Sequence, residues 1–260
     1  MHKIKSARRV AERSWLLGLA ILLIIGGSVR TRSGGDGIRD STCYYDPVAT
    51  ALGSDTAMIT TIFFDIGGVL LTDGWGHVSR RAAAEKFGLD WDEYSDRHEK
   101  VAHAIEINRM TLERYLDRAI FYRPRPFTRD EFRDFIFAQS QPKPDSLSVA
   151  AELGTSGRFF MATLNNEIME LNVYRIEKFG LRRYFPVFFS SCFLGLRKPD
   201  EAIYRMALEI TQRAPEECIF IDDREVNLEC PRELRINTIL FKDAAQLRAE
   251  LVSKGVVIAS

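Results

Sequence analysis

The sequence predicts a doubly wound α/β domain with an all-helical insertion, and three observations lead to it. Five short runs are β-rich and almost continuously apolar: ITTIFF (59–64), RFFMAT (158–163), VFFS (187–190), CIFI (218–221) and NTILF (237–241). Runs without polar alternation suit strands buried on both faces, as in a parallel sheet covered by helices. Helical patterns separate the runs, and the gap between the first and second is far longer than a βα crossover needs.

Taken in order, the first run ends on Asp65 and breaks into Gly67 and Gly68. The stretch 75–153 reads as helices: VSRRAAAEKFG closes on Gly88, TLERYLDRAIF follows, and Thr128 with Glu131 forms a capping box. We expect a core of 58–74 and 154–260, with 75–153 as a separate helical lobe above the sheet edge where the first strand ends. After the third run, DEAIYRMALEI opens just past Pro199, a favourable helix start, and AAQLRAELVSKG ends the chain's last helix on Gly255.

Residues 1–57 stand apart. Lys3, Lys5, Arg8, Arg9 and Arg13 precede an uncharged apolar run at 14–29, the grammar of a signal sequence or short anchor. Sixteen helical residues span roughly 24 Å, short of a hydrocarbon core of about 30 Å unless flanking arginines snorkel. Residues 30–57 read as a low-complexity linker. Three readings stay open: an exported form, an anchored form touching membrane only through 14–29, and a cytoplasmic protein folding from Met58 behind an extension.

The 36 basic and 36 acidic side chains cancel. Without excess positive charge the chain lacks the footprint of a nonspecific nucleic-acid binder, so nucleic acid is excluded as the expected partner. The four cysteines form no CxxC pair and no zinc spacing, and are expected as reduced thiols.

In parallel α/β sheets, ligands sit outside the carboxyl ends of the strands. Asp65 follows the first strand, Thr163 to Asn166 the second, Lys198 lies after the third, and Asp222 and Asp223 follow the fourth. Carboxylates crowded into one cleft need a lysine or a hard cation among them, and oxygen ligands at this density suit magnesium.

The ordered set FFDIGGVL, MATLNN, LRKPD and FIDDREVN resembles the four motifs of the haloacid dehalogenase superfamily, over nearly all of 58–251, and the inserted helices resemble the family's helical cap. The resemblance implies a Rossmann-like core and a magnesium-dependent hydrolase of a small phosphorylated metabolite, acting through an aspartyl phosphate. Asp65 would be nucleophile and metal ligand, Lys198 its catalytic partner, and Asp223, with Asp222 as second candidate, a metal ligand. Asn227 would stand in the outer shell, and the carbonyl of Gly67 would complete the ion's ligands.

Two departures from the family pattern matter. Leu164 stands where a hydroxyl residue is usual, so Thr163 is taken as the phosphate-binding hydroxyl, beside Asn165. Gly67 stands where family phosphatases usually carry a second aspartate, a general acid and base worth roughly 10²–10⁴-fold. Asp73 or His77 is the expected replacement as proton donor. Because dehalogenases also lack that aspartate, a metal-independent 2-haloacid hydrolase is the alternative, and a non-catalytic binder on the same scaffold is a third reading. The doublet Asp222-Asp223 favours the magnesium enzyme. Arg123 and Arg125 are further candidates to meet an anionic substrate.

Overall fold

The computed structural model describes residues 58–257, so the leader readings of 1–57 lie outside the described residues. β1 (Thr61–Phe64) is followed by α1 (His77–Phe87), α2 (Trp91–Glu106), α3 (Leu112–Ala119), α4 (Arg129–Ala138) and α5 (Pro144–Thr155). Then come β2 (Phe160–Asn165), α6 (Met169–Lys178), β3 (Val187–Ser190), the one-turn α7 (Ser191–Leu194), α8 (Glu201–Thr211), β4 (Cys218–Asp222), α9 (Val226–Glu233), β5 (Asn237–Leu240) and α10 (Ala244–Ser253). All pairings are parallel, in the order β3-β2-β1-β4-β5.

β1 is the central strand of the five, and every residue in it is buried. Ile62 and Phe64 point into one apolar cluster and Phe63 into another on the opposite face. Full burial of such side chains contributes about 1.5–3 kcal/mol each. Helix ends follow local chemistry: Asp90 caps α2 through the Glu93 amide at 2.8 Å, and Thr128 and Glu131 make the expected capping box on α4.

Helices α1 to α4 share an apolar cluster of their own, closed by Trp75, Phe132 and Tyr115 and joined to the sheet layer through Ile168 and Leu171. The sequence reading carries the helical lobe through residue 153. The structure instead assigns α5 to the sheet, where Val149, Ala150 and Leu153 pack in the cluster of Ile62 and Phe64. The chain enters and leaves the four helices through one neck. Leu71 bridges Pro142 antiparallel, the Thr72 amide donates to the Gln141 carbonyl at 2.9 Å, and the Lys143 amide donates to the Leu70 carbonyl at 3.0 Å.

Cys192 and Cys218 are buried free thiols and Cys230 is a half-buried one. Among the described residues no helix is long and apolar enough to cross a membrane.

Candidate active site

Register brings the acidic groups together. Phe64 pairs with Ile221 across β1 and β4, and the Asp65 amide donates to the Ile221 carbonyl at 2.9 Å, so Asp65 and Asp222 leave the sheet side by side. Lys198 reaches between them, with Nζ 3.1 Å from Asp65 Oδ1 and 2.6 Å from Asp222 Oδ2. Its loop is clipped by Asn166, whose side chain accepts from the Lys198 amide and donates to the Lys198 carbonyl, both at 2.9 Å.

Lys198 is almost wholly buried. Burial opposes its charge, but Asp65 and Asp222 outweigh burial and hold the ammonium above its usual range. Burial pushes the Asp65 carboxyl up to about 7 despite Lys198, with Asp222 and Asp223 adding repulsion. Asp223 is raised by the same causes, burial first, then Asp222 and Asp73.

Asp222 has both oxygens engaged, by Lys198, by Asn227 Nδ2 at 3.0 and 3.1 Å, and by the Arg224 amide at 2.8 Å. Asp65 accepts from the Ile66 amide and Lys198 through Oδ1 alone. Oxygens of Asp65, Asp222 and Asp223 lie within 4.8 Å of one another. Three carboxylates against one lysine leave negative charge that a hard cation would neutralise, so the donor set fits magnesium. The turn is shaped for Asp223: Gly68 has φ +73°, and a Cβ there would fall 2.1 Å from Asp223 Oδ2.

The second strand corrects the sequence reading. It runs two residues beyond the expected end, to Asn165, and Thr163 lies level with Phe64, fully buried with its hydroxyl unpartnered. Asn165 is tied to Asn172 and Ser190 by bonds of 3.0 and 2.8 Å. Neither lines the cavity above Asp65; Asn166 does.

That cavity has a volume of about 360 Å³ and is lined by Asp65, Gly67 and Lys198 from the sheet edge and by Arg80, His98 and Glu106 from the helices. Asp73 and His77 also line it. A Cβ on Gly67 would lie 3.4 Å from Asp73 Oδ1, so the Asp73 carboxylate stands beside the position of the missing aspartate. Its other oxygen accepts from Arg224 Nη2 at 2.9 Å. His77 is exposed and packs edge-on against Trp91, centroids 5.1 Å apart. Arg123 and Arg125 are turned to Glu93 and the Ile120 carbonyl and do not line the cavity.

Sequence reasoning missed Arg175, a buried arginine of α6. It donates to Glu167 and to the Thr72 carbonyl, both at 2.5 Å, and so ties the loop carrying Asp73 to the end of β2. It also missed Arg80, His98, Glu106 and Arg197. On amphipathic helices and loops such residues read as solvated faces, and no motif spacing marks them.

Known proteins provide the comparison. Flavin mononucleotide hydrolase 1 of Arabidopsis thaliana is 35% identical over 80 residues, 31% of this chain and 33% of that protein. Bifunctional epoxide hydrolase 2 of Sus scrofa is 37% identical over 71 residues, 27% and 13% of the two chains. The matches thus span a third or less of these relatives' length. Among solved structures, a HAD-like family hydrolase of Porphyromonas gingivalis superposes with TM-score 0.62 at 19% identity, covering 77% of this chain and 98% of that one. A HAD family enzyme of Bacteroides thetaiotaomicron, in complex with magnesium and inorganic phosphate, gives 0.61 at 18% identity over 71% and 95%. At such identities the likeness is one of fold. The family model for haloacid dehalogenase-like hydrolases matches residues 59–232, a span that holds the sheet through β4, the inserted helices and every carboxylate of the site. The chain therefore belongs to the haloacid dehalogenase-like hydrolases.

Proposed function

We propose that this hydrolase is a magnesium-dependent phosphatase of small phosphorylated metabolites, working through an aspartyl phosphate on Asp65. The observation that carries the reading is the buried Lys198 held between Asp65 and Asp222, with Asp223 completing an oxygen cluster within 4.8 Å. Asp65, Asp223 and the Gly67 carbonyl would hold the ion, with Asp222 lending charge behind them. When bound, magnesium supplies the positive charge that lets an anionic carboxylate meet an anionic phosphoryl group.

Asp65 attacks phosphorus while the ester P–O bond breaks, and Asp73, beside Gly67, gives the leaving oxygen its proton. Water then attacks the aspartyl phosphate, losing a proton to Asp73 and releasing inorganic phosphate. Lys198 fixes the nucleophile and offsets charge building on the phosphoryl oxygens. Asp73 is preferred to His77 because of its place beside residue 67. A phosphatase is also in keeping with the relative named as a flavin mononucleotide hydrolase.

The test is a panel of phosphate esters, flavin mononucleotide among them, and 2-haloacids, each with magnesium and with chelator. Phosphate release that requires magnesium is expected. Phosphate release that survives chelation, or halide release alone, overturns the reading.

A further inference from the structure

Nine charged side chains line the cavity. Its four carboxylates are each paired with a cation: Asp65 with Lys198 at 3.1 Å, Asp73 with Arg224 at 2.9 Å, Glu106 with Arg197 at 3.2 Å and Glu167 with Arg175 at 2.5 Å. The fifth cation, Arg80, has no such partner among the described residues. Its guanidinium donates through Nη1 to the Trp75 carbonyl at 2.7 Å and feels Glu106, which is already paired with Arg197, only at longer range.

Beside it lies His98, whose protonation is fixed by counting hydrogens. The buried Tyr115 hydroxyl meets Trp75 Nε1 at 3.0 Å, the Tyr94 hydroxyl at 3.1 Å and His98 Nδ1 at 3.0 Å. Indole can only donate. If His98 Nδ1 also donated, Tyr115 would give its proton to Tyr94, and the buried Tyr94 hydroxyl would have no acceptor of its own. If Tyr94 donates instead, the oxygen of Tyr115 accepts twice, its proton goes to His98 Nδ1, and every hydrogen is used. The imidazole therefore carries its own proton on Nε2. That nitrogen has no hydrogen-bond partner among the described residues, and the residue lines the cavity. Burial, with the charge of Arg80 adding to it, pushes the imidazolium down to about 3, so the ring is a neutral donor.

We infer that Arg80 and the Nε2–H of His98 bind a second anionic group of the substrate, a carboxylate or a second phosphate, at the helical wall of the cavity. The inference rests on the phosphate-ester reading above. A cation facing a small cavity with no carboxylate in direct ion-pair contact, beside a neutral donor, is complementary to an oxyanion with several lone pairs. A site built this way rejects esters lacking that group, because its own polar groups would then be left unpaired.

The experiment compares kcat/KM on esters matched for size, with magnesium, on the full chain. Glycerol 3-phosphate and p-nitrophenyl phosphate form the neutral arm, 3-phosphoglycerate the carboxylate arm, and 1,3-propanediol bisphosphate the phosphate arm. The wild type is expected to favour one or both anionic arms at least about 10-fold. Arg80→Met brings that ratio towards one, mainly through KM, and Arg80→Lys restores part of it. His98→Asn, which keeps an acceptor for Tyr115 but loses the outer donor, lowers the ratio, and His98→Gln, which can place an amide N–H near Nε2, retains more of it. A wild type that turns over the neutral esters without preferring either anionic arm overturns this inference alone. So does an Arg80→Met loss equal on every ester, which would assign Arg80 to the transferring phosphoryl group. No turnover of any ester overturns both readings.

Discussion

His98 makes a prediction about stability that is independent of any substrate. Its imidazole is held neutral by burial, with a folded value near 3 against 6.5 for an unperturbed histidine. Below pH 6.5 the unfolded chain gains a proton there and the folded chain does not, so acid stabilises the unfolded state. The contribution is fully present above pH 6.5 and is lost as pH falls towards 3. The slope approaches about 1.4 kcal/mol per pH unit below pH 6.5, so close to 2 kcal/mol disappears between pH 7.5 and 5. His98→Asn removes the titrating group while keeping an acceptor for Tyr115. It costs stability at pH 7.5 through lost packing, yet the gap from wild type should narrow by about that 2 kcal/mol at pH 5. Urea unfolding monitored by circular dichroism in chelator at pH 7.5, 6.5, 5.5 and 5 reads both curves. Parallel curves across that range would refute the claim that the folded imidazole stays neutral and, with it, the proton count at Tyr115.

Lys198→Met leaves Asp65 and Asp222 side by side without their shared cation, and urea unfolding at pH 7.5 should show a loss of about 3–5 kcal/mol, the usual cost of breaking a buried pair. Tyr115→Phe strips three buried groups of their common partner and should cost about 2–4 kcal/mol by the same measurement. Asp73→Asn should lower kcat by about 10²-fold on esters with poor leaving groups and far less on p-nitrophenyl phosphate. Gly67→Asp in that background should recover at least a tenth of the lost rate, because an ideal Cβ there finds Asp73 at 3.4 Å and Arg175 Nη1 at 3.9 Å with no backbone clash. No recovery would remove the link between Gly67 and the missing acid.

The sheet was legible because its strands are buried on both faces, and continuous apolar runs ending in carboxylates announce both strand and site. Asp65, Lys198, Asp222 and Asp223 meet as their positions at strand ends implied. What could not be read was register. A strand two residues longer than its apolar run exchanged Thr163 and Asn165 for Asn166, since the run RFFMAT does not say how far pairing continues past it. Helix α5 looked like its four predecessors, and only three-dimensional packing shows that Val149 and Leu153 face the sheet. Arg80, His98 and Tyr115 are separated along the chain and converge only when α1, α2 and α3 pack.

The neck at Leu71 and Pro142 has one more consequence. A segment whose two ends leave and return as hydrogen-bonded neighbours can be exchanged for another without moving the strand ends it spans. Asp65, Lys198, Asp222 and Asp223 are thus joined to the inserted helices by a seam only two chain segments wide. A lineage can inherit the nucleophile, its lysine and the acidic cluster intact while renewing, one cassette at a time, both the proton donor carried by Asp73 and the wall that meets the substrate.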